Sequence, residues 1–253
     1  MNYLQEYSSF LKLLADESSK IIRQYFRTKI NFEQKSDASP VTIADKKAEE
    51  KLRELISKNF PHHGIIGEEF GNENSDAEFV WVLDPIDGTK SFICGALSFG
   101  TLIALLHNGR PVLGVINHPI LDEFLIGDNS ITLLNEVPVN VSNQSELYKS
   151  VLLTTDHLNA EKYLNKEKFN QLINSVNIYR NWGDCYGYYL LATGYADIMI
   201  DPIMSVWDKM ALIPIVRGAG GIITDCEGNS PEKGTNILAA NFFLHQQVVK
   251  FLT

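Results

Sequence analysis

Apolar side chains at Leu4, Tyr7, Phe10, Leu11, Leu14, Ile21, Ile22 and Tyr25 recur at mostly helical spacing. They predict an amphipathic helix over residues 3 to about 26 with one buried stripe. A second helix is predicted to start from Thr42 as N-cap and run through Ala48, Leu52, Leu55 and Ile56 to about Asn59, where Pro61 and Gly64 end it. Asp37 to Pro40 reads as a turn before it. The period then changes. Phe79-Val80-Trp81-Val82-Leu83 is apolar throughout and reads as a buried strand that must end at Pro85, which cannot donate to a ladder. Ser98 to His107 and Val112 to Ile116 flank Asn108-Gly109, a strong hairpin signal, so these strands should be antiparallel neighbours. Glu123 to Ile126 reads as a third strand, and this sheet cannot be all parallel.

Residues 128 to 149 are polar, hold a short Ile131-Thr132-Leu133-Leu134-Asn135 step, and read as connecting structure. Beyond them the pattern alternates. Strands are expected at Val151 to Thr154, Ile178 to Arg180, Ala196 to Ile200, Gly221 to Thr224 and Asn236 to Ala240. Helices are expected near Lys162 to Val176, at Asp184 to Thr193, and from Trp207-Asp208. Gly218-Ala219-Gly220-Gly221 follows a helix and reads as its C-cap and turn rather than a nucleotide loop. That alternation predicts an α/β layer.

Composition narrows the class. The chain has 253 residues, 45% hydrophobic and 21% charged, which allows a large core in one domain or two joined halves. Its 22 Lys plus Arg against 31 Asp plus Glu give a formal charge of −9, which argues against nucleic-acid binding. No apolar run approaches the length of a membrane span, and the first residues do not read as a signal peptide. Cys94, Cys185 and Cys226 lack C-x-x-C spacing and are expected to be reduced thiols in a cytoplasmic protein.

The chemistry concentrates at Asp84-Pro85-Ile86-Asp87-Gly88-Thr89. Two acids, the Ile86 carbonyl and the Thr89 hydroxyl form an all-oxygen set of the kind Mg²⁺ prefers. Taken alone, D-x-x-D reads more simply as an acidic loop capping a helix. Likewise Thr89 alone reads as an N-cap and Asp45 as a first-turn helix acid. Further acids change the picture: Gly67-Glu68-Glu69 after Ile65-Ile66, Trp207-Asp208, and Thr42-Ile43-Ala44-Asp45.

In that order, T-x-x-D, G-E-E, D-P-I-D-G-T and W-D before G-A-G-G, the chain resembles the inositol monophosphatase superfamily from about Lys35 to Ala240. The resemblance implies an α/β fold, a layered αβαβα sandwich with mixed sheets shared with fructose-bisphosphatases. It implies one domain over 1–253, with a metal-binding half (1–140) and an α/β half (141–253). It also implies a lithium-sensitive, Mg²⁺-dependent phosphomonoesterase that binds two or three ions and forms a homodimer. Glu68, Asp84, the Ile86 carbonyl, Asp87 and Asp208 would be the metal ligands, with Asp84 bridging the ions. Thr89 and Asp45 would orient and activate the attacking water. Gly88 and Thr89 N–H groups would cradle the phosphate. Lys35 reads equally as a site cation or a solvated lysine, and His62 and His63 as turn residues rather than ligands.

Phe99 to Leu106, Gly183-Asp184-Cys185-Tyr186, Ala211 to Val216 and Asp87 to Phe92 look most like the histidinol-phosphatase branch. That similarity implies hydrolysis of L-histidinol phosphate in histidine biosynthesis. The ammonium and imidazole of that substrate call for acids, and Asp201 and Asp184 are the candidates. Arg180 could contact the phosphate, lock Asp184, or form a strand-end salt bridge. Arg217 stands where many relatives have Glu, without a physical account. Together with Glu68, Ile86, Asp87, Gly88, Thr89 and Asp208, these make the expected substrate site. Rival readings are a broad inositol- or sugar-phosphate phosphatase, a bisphosphate nucleotidase, and a silent binding protein.

Overall fold

The structure, a computed structural model, describes residues 3–29, 32–34 and 40–253. Lys35 and most of the expected 37–40 turn lie outside the described residues. Helix α1 (Tyr3–Tyr25) buries Tyr7, Leu11, Leu14 and Ile22 along the expected stripe. Strands β1 (Phe32–Gln34) and β2 (Pro40–Thr42) form an antiparallel pair leading into α2 (Ile43–Asn59). A capping box starts α2: Thr42 Oγ1 accepts from the Ala44 N–H at 3.1 Å, and the Asp45 carboxylate accepts from the Thr42 N–H at 2.8 Å.

The first sheet contains β3 (Gly64–Gly67), β4 (Gly71–Glu73), β5 (Phe79–Asp87), β6 (Gly100–His107), β7 (Arg110–His118), β8 (Glu123–Gly127), β9 (Thr132–Leu134) and β10 (Val137–Pro138). Helix α3 (Thr89–Ile93) interrupts it. The order is β10-β9-β8-β7-β6-β5-β3-β4, antiparallel except for the β3–β5 pair. The Asn108-Gly109 hairpin forms, with both residues at positive φ (50° and 75°). Two expectations change. Strand β5 runs on through Pro85, because the register shifts between Asp84 and Asp87 and the missing N–H falls where the ladder is already interrupted. Residues 132–138, expected as connecting structure, extend the sheet by two strands, β9 and the edge strand β10.

The second sheet has the order β12-β11-β13-β15-β14, from β11 (Val151–Leu153), β12 (Ile178–Arg180), β13 (Ile198–Asp201), β14 (Ile222–Thr224) and β15 (Ile237–Ala240). Strand β11 is parallel to both of its neighbours. The helix expected over 162–176 is two, α4 (His157–Tyr163) and α5 (Lys166–Ser175), because Asn165 caps a new start through the Lys168 N–H at 3.1 Å. Helix α6 (Asp184–Ala192) matches its prediction closely. The helix from Trp207 is also two, α7 (Val206–Lys209) and α8 (Leu212–Gly218). Pro214 sits in the first turn of α8, where no N–H is needed. A final helix, α9 (Phe242–Leu252), is additional to the predicted elements; Asn241 caps it.

The layers follow from burial. Helices α1 and α2 cover one face of the first sheet, with Leu11, Leu52 and Ile56 against Trp81, Ile103 and Val115. Its other face meets α6 and α8, where Val82, Leu102 and Ile116 join Leu191, Ile215 and Val216 and reach Met199 and Ala239 of the second sheet. Phe169, Leu172 and Leu244 of α5 and α9 close the far side. The fold is thus the expected αβαβα sandwich of mixed sheets. Helix α8 lies so close to β7 that a Cβ on Gly114 would come 1.9 Å from the Ala211 carbonyl oxygen. No helix among the described residues is long and apolar enough to cross a membrane.

Candidate active site

The end of β5, the turn after β3, the first turn of α2 and the start of α7 converge. Asp84 is 2% exposed, Ile86 is buried and Asp87 is partly so. One oxygen each of Asp84, Asp87 and Asp208 lies within 4.8 Å of the others. Asp208 is oriented by its capping box, accepting the Ser205 N–H at 2.6 Å. The Cys185 N–H at the start of α6 binds the Asp87 carboxylate. Glu68 enters from the turn after β3, and its own N–H bonds to the Leu83 carbonyl at 3.2 Å.

Electrostatically the cluster is unfavourable as it stands. Burial, then the charges of Glu68, Asp87 and Asp208, push Asp84 well above the usual carboxylate range. Burial, then Asp184 and Asp208, do the same to Asp87, opposed by the Cys185 bond. Asp84 Oδ1 is buried without a hydrogen-bond partner. A partly buried, mutually repelling, all-carboxylate set with an orphaned oxygen on its buried member fits a hard divalent cation, which would supply the missing partner and the missing charge.

Asp45 lies beside this cluster. Its Oδ2 accepts from the Thr42 N–H at 2.8 Å and the Thr42 hydroxyl at 2.5 Å. Its Oδ1 lies 3.5 Å from Thr89 Oγ1, which also sits 3.0 Å from the Ile86 carbonyl oxygen. Burial raises the Asp45 carboxyl to about 6, against the lowering effect of the Thr42 bonds. Thr89 is the first residue of α3 rather than its N-cap. Gly88 takes the cap position at φ 88°, a left-handed conformation open to glycine.

The expected specificity residues fall differently. Asp184 begins α6 at φ 50°, with its N–H on Thr155 Oγ1 at 2.8 Å. Burial, then Asp201 and Asp208, raise it to about 7, against the pull of Lys90. Asp201 is buried; its oxygens accept from the Thr155 N–H and the Tyr188 hydroxyl, both at 3.0 Å. Arg180 is exposed and donates to the Tyr179 carbonyl at 2.7 Å. Among the described residues it makes no ion pair with Asp184, so neither the Asp184 lock nor the strand-end salt bridge is present.

Two adjoining clefts meet at Thr155, Asp156, Asn159 and Asp184. One reaches Asp87, Asp201 and Asp208; the other, about 270 Å³, reaches Gly88, Thr89 and Lys90. Thr155, Asp156 and Asn159 belong to none of the sequence motifs. The available signal was their place just past β11, because α/β crevices open at the carboxyl ends of parallel strands.

The inositol monophosphatase family model matches residues 3–251. A bifunctional phosphatase IMPL2 of Arabidopsis thaliana is 41% identical over 98% of this chain and 75% of its own length. A histidinol-phosphatase of Chlorobaculum parvum is 40% identical, covering 90% of this chain and 89% of its own. The solved inositol monophosphatase of Zymomonas mobilis superposes with a TM-score of 0.86 at 37% identity, covering 97% and 98%. With the fold and the ordered acids in agreement, the chain belongs to the inositol monophosphatase family and is a phosphoric monoester hydrolase.

Proposed function

We propose that this protein is a Mg²⁺-dependent histidinol-phosphatase. The observation that carries the reading is the charge of the joined clefts: among the described residues, Asp156, Asp184 and Asp201 line them beside the metal-site acids Asp87 and Asp208, and Lys90 is the one lysine on that lining. That lining suits a phosphate ester whose organic part is cationic, while the metals take the phosphate. Curated relatives named histidinol-phosphatase, at 40% and 33% identity over most of the chain, support it. The site draws on both halves, 1–140 and 141–253, which supports their working as one domain. Three unpaired cysteines suit a reducing, cytoplasmic setting, and the family resemblance implies a homodimer.

Glu68, Asp84, the Ile86 carbonyl, Asp87 and Asp208 would hold two or three Mg²⁺ ions, which when bound neutralise phosphate charge and acidify a water. Asp45 anchors one oxygen on Thr42 and presents the other to Thr89. The Thr89 hydroxyl has one proton and two acceptors in reach. Once the Ile86 carbonyl is engaged elsewhere, Asp45 is left as acceptor, and Thr89 can draw a proton from the attacking water. Asp184 and Asp156 face the substrate's cationic part.

A broad phosphatase is the second reading, favoured by the relative named a bifunctional phosphatase. Phosphate release with Mg²⁺ on histidinol phosphate, inositol 1-phosphate, adenosine 3′,5′-bisphosphate and fructose 1,6-bisphosphate separates them. We expect histidinol phosphate to lead by about a hundredfold in kcat/KM, and Asp184→Asn to erode that lead. Comparable rates on several esters would overturn the assignment.

A further inference from the structure

Glu49 is a charged residue of α2 with no accessible surface. It lies one helical turn after Asp45, so one face of α2 carries both acids. Its Oε2 accepts the Glu69 N–H at 2.7 Å, and its Oε1 accepts the Phe70 N–H at 3.1 Å and Arg53 Nε at 2.8 Å. Arg53 also donates to the Gly71 carbonyl. The helix therefore grips the turn after β3 by its backbone at three successive residues. A Cβ on Gly67 would come 2.0 Å from Glu49 Oε1, so a larger residue there would have to displace the Glu49 carboxylate.

The turn itself has no apolar anchor. Phe70 is 53% exposed and residues 71–76 are exposed. Burying a carboxylate to hold an exposed turn is costly as a folding device, since a small apolar contact would do as much. Its consequence lies at Glu68. The Glu68 N–H is fixed on the Leu83 carbonyl of β5, and the next N–H is fixed on Glu49. With both flanking peptide groups held, the Glu68 side chain is directed at Asp84, whose carboxyl its charge raises.

We propose that Glu49, with Arg53, is a positioning residue for the metal centre, fixing the Glu68 carboxylate toward Asp84. This rests on the reading of Glu68 as a metal ligand. Mn²⁺ binding, followed by electron paramagnetic resonance of the free ion, tests it on the full-length wild type, Glu49→Gln, Arg53→Gln and Glu68→Gln, with urea unfolding in EDTA alongside. Glu49→Gln should weaken Mn²⁺ binding by about tenfold or more, the scale of ligand-orienting partners. Its kcat should recover at high Mg²⁺, with little change in KM for the phosphate ester. Wild-type Mn²⁺ affinity in a folded Glu49→Gln protein would overturn the proposal, whatever its stability. If that variant does not fold, Arg53→Gln is read by the same criterion. Wild-type affinity in Glu68→Gln would instead overturn the ligand reading beneath it.

Discussion

Replacing Asp84 by Asn removes one charge from three carboxylates whose facing oxygens lie within 4.8 Å of one another. Two like charges at that distance repel by about 3 kcal/mol at an effective dielectric near 20. Asp84 has two such neighbours and also feels Glu68. Two effects reduce the sum: Asp87 and Asp208 are partly exposed, and a buried acid that repels too strongly keeps its proton. The expected net relief in metal-free protein is about 2 kcal/mol, or roughly 4–8 °C in Tm for a chain of this size. The variant should therefore melt higher than wild type in EDTA at neutral pH. Mg²⁺ should raise the wild-type Tm and leave the variant nearly unmoved, and phosphate release should fall by at least about a hundredfold. Differential scanning fluorimetry with EDTA and Mg²⁺ in parallel reads all but the last. A variant that melts lower than wild type in EDTA would refute the reasoning, because Asp84 would then be held by favourable native bonds rather than against repulsion.

Asp45→Asn should lower kcat by about 10²–10³-fold and remove an acid limb near pH 6 from the pH–rate profile, since the carboxyl raised to about 6 must be ionised to accept a proton. A limb that persists in the variant assigns it to another group. Asp184 is raised to about 7 from an ordinary value near 4, so the metal-free fold binds more protons there than the unfolded chain, and its stability falls as pH rises through that window. Asp184→Asn should accordingly gain on wild type in EDTA from pH 5 to about 7 and level off above, by Tm. Gly114→Ala would drive a Cβ to 1.9 Å from the Ala211 carbonyl oxygen and should cost more than about 2 kcal/mol in urea unfolding. A neutral result would mean that α8 can lift off β7 freely.

What could be read from the chain was local. Thr42 and Asp45 fix the start of α2 through bonds three residues apart, and Asn108-Gly109 sets a hairpin by its own backbone preference. What could not be read depends on partners far along the chain. Pro85 looked like a strand end because the bulge that tolerates it is made with β6. Helix α9 is illegible in the sequence because Phe242 and Phe243, both exposed, blur its stripe, while Leu244 and Val248 find their cover only across the second sheet. The same divide runs through the site. Asp84, Asp87, Glu68 and Asp208 stand in distinctive phrases. Glu49 is one Glu in a helix full of charge, and Asp156 one Asp after a strand. Only the packing shows that the first is sealed from water and the second lines the cleft.

The contact of α8 with β7 also sets an order of events. Asp208 sits on α7, immediately ahead of the segment that rests on Gly114, while Asp45, Glu68, Asp84 and Asp87 all precede β6. A chain emerging during synthesis presents four of the five acids long before the fifth exists. Closing the set requires a long-range encounter, which loop-closure entropy makes slow and late. A Mg²⁺ ion that needs the complete set would then lock a structure already assembled, which predicts a metal-insensitive folding rate and a metal-sensitive unfolding rate.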